Sequence, residues 1–69
     1  MTRDEILKLE NYLQKTFQLQ TIQVRQRPQK DDSAEVYIGD EFIGVLFRDE
    51  DEGETAYQLQ MAILDFDLQ

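Results

Sequence analysis

The sequence predicts an α+β fold, an N-terminal amphipathic helix packed on a four-stranded antiparallel β-meander in the order α-β-β-β-β. Three observations predict it. Apolar residues recur at helical spacing from Ile6 to Phe17, the period changes to two from Thr21 onward, and Gly39-Asp40 sits between two apolar runs as a two-residue hairpin turn.

The helix has a defined start. Thr2 and Glu5 stand in the S/T-x-x-E relation of a capping box, in which hydroxyl and carboxylate satisfy backbone donors that the first turn leaves unpaired. Met1 and Ile6 are spaced as a hydrophobic staple. Ile6, Leu9, Leu13 and Phe17 then form one apolar stripe, with Thr16 beside it, Tyr12 at its rim and Leu7 off it. Asp4 and Lys8 are an i, i+4 pair in the favourable order. Leu19 would leave the stripe, so the helix is expected to end near Phe17 or Gln18.

Strand one begins at Thr21, where Ile22 and Val24 alternate with polar neighbours, and stops at Pro28, which removes a ladder donor and marks an edge. Gln29 to Asp32 reads as a polar loop. Ala34, Val36 and Ile38 make strand two, and Glu41 to Phe47 strand three. A two-residue turn at Gly39-Asp40 sets Ile38 against Glu41, Tyr37 against Phe42, Val36 against Ile43, Glu35 against Gly44 and Ala34 against Val45. This register assigns Ala34, Val36, Ile38, Ile43, Val45 and Phe47 to the helix side, and Tyr37, Phe42 and Leu46 to the other. Asp49 to Glu54, turning at Gly53, is expected to be a solvated acidic loop. Strand four follows, with Tyr57, Leu59, Met61 and Ile63 completing the core. Leu64, Phe66 and Leu68 alternate in the opposite phase, which places a bulge or bend near the end of that strand. If strand one pairs with strand two, Arg25 falls opposite Glu35.

Composition narrows the function classes. A chain of 69 residues has room for one core, so residues 1 to 69 read as a single domain of marginal stability. Leu, Ile, Val and Phe make up 20 of the 69 residues, enough to fold. There is no cysteine and no histidine, which removes disulfides, thiolate metal sites and the commonest zinc ligand. The longest uncharged stretch, Thr55 to Leu64, is too short to span a bilayer, and no apolar segment of a signal peptide follows Met1. Cytoplasmic residence is the expectation. Fifteen acids against seven bases give a net charge of -8, which repels nucleic acid and anionic lipid at long range.

No catalytic constellation stands out. Ser33 is the only serine, no lysine lies in an apolar run, and the carboxylates fall in turns and polar strand positions, so no enzyme activity and no cofactor are expected. Asp49-Glu50-Asp51-Glu52-Gly53-Glu54 departs from the EF-hand pattern, with Gly53 and Glu54 where an Asp or Asn and then a Gly belong. Arg25, Arg27 and Lys30 are the one basic cluster. They are the candidate contacts for an alternative reading as a nucleic-acid accessory protein, but Asp31 and Asp32 follow at once, and guarding an edge strand is the simpler role. Strand three, by contrast, does not alternate: Phe42 to Phe47 is apolar throughout apart from Gly44. A sheet with one wet face should alternate. The expected function is therefore protein interaction, with a second copy or a separate partner, through Tyr37, Phe42, Leu46, Leu64 and Phe66. Against that, the segment Leu64 to Leu68 would cover the same patch if it folded back.

The stretch from Asp32 to Phe47, DSAEVYIGDEFIGVLF, followed by an acidic loop and Gln60-Met61-Ala62-Ile63-Leu64-Asp65, resembles a family of short uncharacterised alphaproteobacterial proteins filed as a domain of unknown function. The likeness covers nearly the whole chain and is most specific from Ser33 to Phe47. It implies a compact bacterial cytosolic α+β protein, and it brings no activity, ligand or catalytic residue.

Overall fold

The computed structural model describes all 69 residues. Helix α1 (Arg3–Phe17) is followed by β1 (Ile22–Arg27), β2 (Lys30–Ile38), β3 (Glu41–Asp51) and β4 (Glu54–Gln60), then by a short 3-10 turn at Asp65–Leu68. The strands form one open antiparallel sheet in the order β1-β2-β3-β4, as the sequence predicts.

The helix begins where its capping box places it: the Thr2 hydroxyl accepts the Glu5 N–H at 3.1 Å, and Glu5 Oε1 accepts the Thr2 N–H at 2.9 Å. It ends at Gln18, whose left-handed backbone (φ 54°) turns the chain out of the helix. Met1 is buried at the start of the core, and its ammonium donates to the Asp31 carbonyl. Helix α1 packs chiefly against β1 and reaches around that strand's outer edge. Glu10 Oε2 accepts the Val24 N–H at 2.9 Å, and Gln14 Nε2 donates to the Ile22 carbonyl at 2.9 Å. Backbone groups that an edge strand would leave to water are thus capped by side chains.

The core comprises Met1, Leu13, Ile22, Val24, Ala34, Val36 and Leu46, with Ile6, Leu9, Ile38, Ile43 and Tyr57 at its margin. Phe17, expected on the buried stripe, is 56% exposed, at the end of the helix beside a groove that it lines with Leu46 and Leu59.

The register of the central hairpin corrects the sequence reading. Ile38 faces Glu41 and Tyr37 faces Phe42 as expected, but an irregularity then sets Val36 opposite Gly44, Glu35 opposite Val45 and Ala34 opposite Leu46. Ile43 is the additional residue of this bulge. From there on every side chain of β3 changes face, since the strand period is two. Leu46 joins the core at 3% exposure, while Val45 and Phe47 turn to the opposite face. Gly44 suits the pinch: a Cβ built there would lie 2.6 Å from the Gln60 carbonyl oxygen.

Three boundaries also move. β2 starts at Lys30 rather than Ala34, because Pro28-Gln29 alone forms the turn; Arg27 faces Lys30 and Gln26 faces Ala34, so residues 31 to 33 have no partner on β1. β3 runs on to Asp51, and the acidic segment becomes the tip of a ladder, turning at Glu52 (φ 53°) and Gly53 (φ 80°). β4 stops at Gln60, before the place where a bulge or bend was expected, so Tyr57 and Leu59 face the helix side while Met61 and Ile63 lie beyond the strand, exposed.

Candidate interaction surfaces

On the face away from α1, three strands bring side chains together. Tyr37 and Phe42 meet edge to face with centroids 5.6 Å apart, and the Arg25 guanidinium lies 3.9 Å from the Tyr37 ring centroid. The Tyr37 hydroxyl donates to Glu35 Oε1 at 3.0 Å, and this bond raises the tyrosine pKa by favouring the protonated phenol. Arg25 does stand opposite Glu35 in the ladder, but its guanidinium bonds Gln23 Oε1 at 2.9 and 3.3 Å instead of the carboxylate. Beside this cluster Phe42, Gly44, Val45, Phe47, Gln60 and Ala62 line a shallow hollow of about 200 Å³. Phe42 is 51% exposed.

Of the five residues proposed from sequence as an interface, Tyr37 and Phe42 are together on this face. Leu46 is not; it is buried beneath the helix side because of the bulge, and Val45 and Phe47 stand in its place. Nor do Leu64 and Phe66 fold back over the patch. Phe66 is 79% exposed and Leu68 nearly as much, in a segment held locally by the Leu64 N–H to Asp67 Oδ2 bond of 3.0 Å. Unbroken pairing would put Val45 and Phe47 on the helix side; the sequence sign of their true face is Gly44, a residue that often marks a bulge within a strand.

Arg25, Arg27 and Lys30 do not form one basic patch. Arg25 is stacked on Tyr37, Arg27 donates to the Ser33 hydroxyl at 3.3 Å, and Lys30 shares a hollow with Arg27, Pro28, Gln29 and the acid Glu35.

The helix side carries the second surface. The Glu5 carboxylate accepts from the Thr2 N–H, from Arg48 Nη1 at 3.0 Å to each oxygen, and from the Tyr57 hydroxyl at 2.7 Å. These donors hold its pKa well down, at about 2 from 4.5, the Thr2 bond contributing most, then Tyr57, then Arg48. The same bond raises the Tyr57 pKa. A carboxylate so placed is a weak base; its role is to clamp α1 to the β3–β4 hairpin. Arg48 also pairs with Glu50 at 3.4 Å. Beside the clamp Lys8, Leu9 and Tyr12 border a hollow of about 470 Å³, which continues along the sheet as an apolar groove between Leu13, Phe17, Leu46 and Leu59. No group of three or more Asp or Glu stands close enough to hold a metal ion. No helix is long and apolar enough to cross a membrane.

No curated protein and no solved structure matches. The family model described as "Protein of unknown function (DUF3126)" matches residues 5–67, from the first turn of α1 through all four strands to the 3-10 turn. The chain therefore belongs to the DUF3126 family.

Proposed function

We propose that this chain is a cytosolic, non-enzymatic protein-interaction module that binds a protein partner through the outer sheet face, at Tyr37, Phe42, Val45 and Phe47. The observation that carries this reading is the uncovered aromatic cluster on a sheet of only four strands, next to the hollow at Gly44. A contiguous apolar patch on a small acidic protein is costly to expose and is the usual mark of a contact surface. Its composition fits, since aromatic residues with an arginine nearby are enriched where partners bind.

The test is co-purification of the tagged chain from its own cells, compared with a Phe42→Asp variant. Phe42→Asp is expected to stay folded, as judged by circular dichroism, and to lose its partner. Leu46→Asp, which buries an unpaired carboxylate, is expected to unfold the chain. A partner retained by Phe42→Asp, or salt-dependent capture of RNA in place of protein, would count against the reading; the latter would point to Arg27 and Lys30 instead.

A further inference from the structure

The two edges of the sheet are built differently. β1 is guarded: α1 caps its outer backbone groups through Glu10 and Gln14, and Arg25, Arg27, Pro28 and a register shift mark its length. β4 has none of these devices. It pairs with β3 without irregularity, no side chain bonds its backbone, and from Thr55 to Leu64 the chain carries no charge and no proline. The turn closed by Asp51 and Glu54 makes Glu54, Ala56, Gln58 and Gln60 the residues that exchange main-chain bonds with β3. The N–H and C=O groups of Thr55, Tyr57 and Leu59 therefore point out from the open edge.

We infer that this edge pairs with β4 of a second copy, antiparallel about a two-fold axis at Leu59, to form a continuous eight-stranded sheet. An axis normal to the sheet keeps both helices on one side. In that register Leu59 meets Leu59, Tyr57 faces Met61 of the other copy, and Thr55 faces its Ile63. Met61 and Ile63 share the strand phase of Tyr57 and Leu59, so continuing β4 past Gln60 turns them toward the helix side, into the other copy's groove between Leu9, Tyr12 and Tyr57. This gives the exposed Met61 and Ile63 a place to go. A second copy brings its own Met61 and Ile63 at the alternate spacing that this groove can take.

The area suffices. Tyr12, Phe17, Leu59, Met61 and Ile63 are each between 39% and 65% exposed, so at about 200 Å² per large side chain they offer at most on the order of 500 Å² per copy. With all of it covered the pair reaches about 1,000 Å², the threshold of a biological interface. The inference concerns a different surface from the outer-face cluster and stands or falls apart from it.

Sedimentation equilibrium of the full chain from micromolar to millimolar concentration tests the pairing, together with hydrogen exchange of the edge amides. The expected result is a species of twice the 8.2 kDa chain mass, with the Tyr57, Leu59 and Met61 amides protected only where that species is populated. Met61→Pro removes an N–H that the lone chain does not use, and Leu59→Lys puts a charge on the seam; both are expected to return the single-chain mass with the fold intact. Phe42→Asp, on the far face, is expected to leave the double mass unchanged. A chain that stays single at millimolar concentration overturns the inference. So does a pair that survives both Met61→Pro and Leu59→Lys, or one that Phe42→Asp abolishes.

Discussion

Replacing Glu5 by Gln keeps the side-chain volume and leaves a residue that still serves as the third member of a capping box, but it removes the charge that Arg48 and Tyr57 address. The magnitude follows from the carboxyl pKa, held at about 2 in the fold against 4.5. Taken whole, that difference corresponds to about 3 kcal/mol. Part of it belongs to the Thr2 N–H bond, which Gln still accepts, and with the Glu5 side chain 20% exposed and its partner Arg48 26% solvent screens the remainder, which leaves about 1 to 2 kcal/mol. For a chain of this length such a loss lowers Tm by roughly 5 to 15 °C. The pH dependence is the sharper check. Because the folded pKa is depressed, the contribution is fully present above pH 4.5, shrinks as the unfolded carboxyl gains its proton, and is gone once pH falls through about 2. Urea titrations of wild type and Glu5→Gln at dilute concentration, repeated from pH 7 down to the lowest pH at which both fold, should give stabilities that converge in acid. A difference under about 0.3 kcal/mol at neutral pH, or one that stays constant through the acid range, refutes the clamp.

Two further variants probe the backbone. Gly44→Ala places a Cβ within 2.6 Å of the Gln60 carbonyl oxygen, so β4 must shift from β3, and a loss of about 1 to 3 kcal/mol in urea is expected; an unchanged midpoint would mean the pinch is absent. Glu52→Asn creates Asn-Gly at a turn where both central residues have positive φ, and is expected to raise stability by about 0.5 to 1 kcal/mol, read as a higher Tm; no gain would show that the turn relaxes in solution.

Local signals in the sequence were read well because their physics is local. The Thr2–Glu5 box, the helix end beside Gln18 and the reversal at Gly39 each depend on a few adjacent residues, and each is where expected. The bulge at Ile43 has one local sign, Gly44, which marks a bulge and a simple bend alike. The bulge brings Leu46 into the core and Arg48 within reach of Glu5, a contact 43 residues distant along the chain that no pattern within β3 encodes. Because that one insertion flips the strand, it moved Leu46 out of the candidate surface and Val45 and Phe47 into it. Likewise Met61 and Ile63 carry the alternation of a core strand, yet the core they would join is not present within one copy.

The order β1-β2-β3-β4, with α1 beside β1, means that every strand lies next to its neighbour in sequence. Contacts of this kind close short loops, so the chain can assemble rapidly from its hairpins outward. The bonds of Glu5 to Arg48 and Tyr57 are longer in range, and the second spans 52 residues, joining the first turn to the last strand. A contact of that span costs the most loop-closure entropy unless the strands between have already shortened the path, so the hairpins it bridges are what allow it to form.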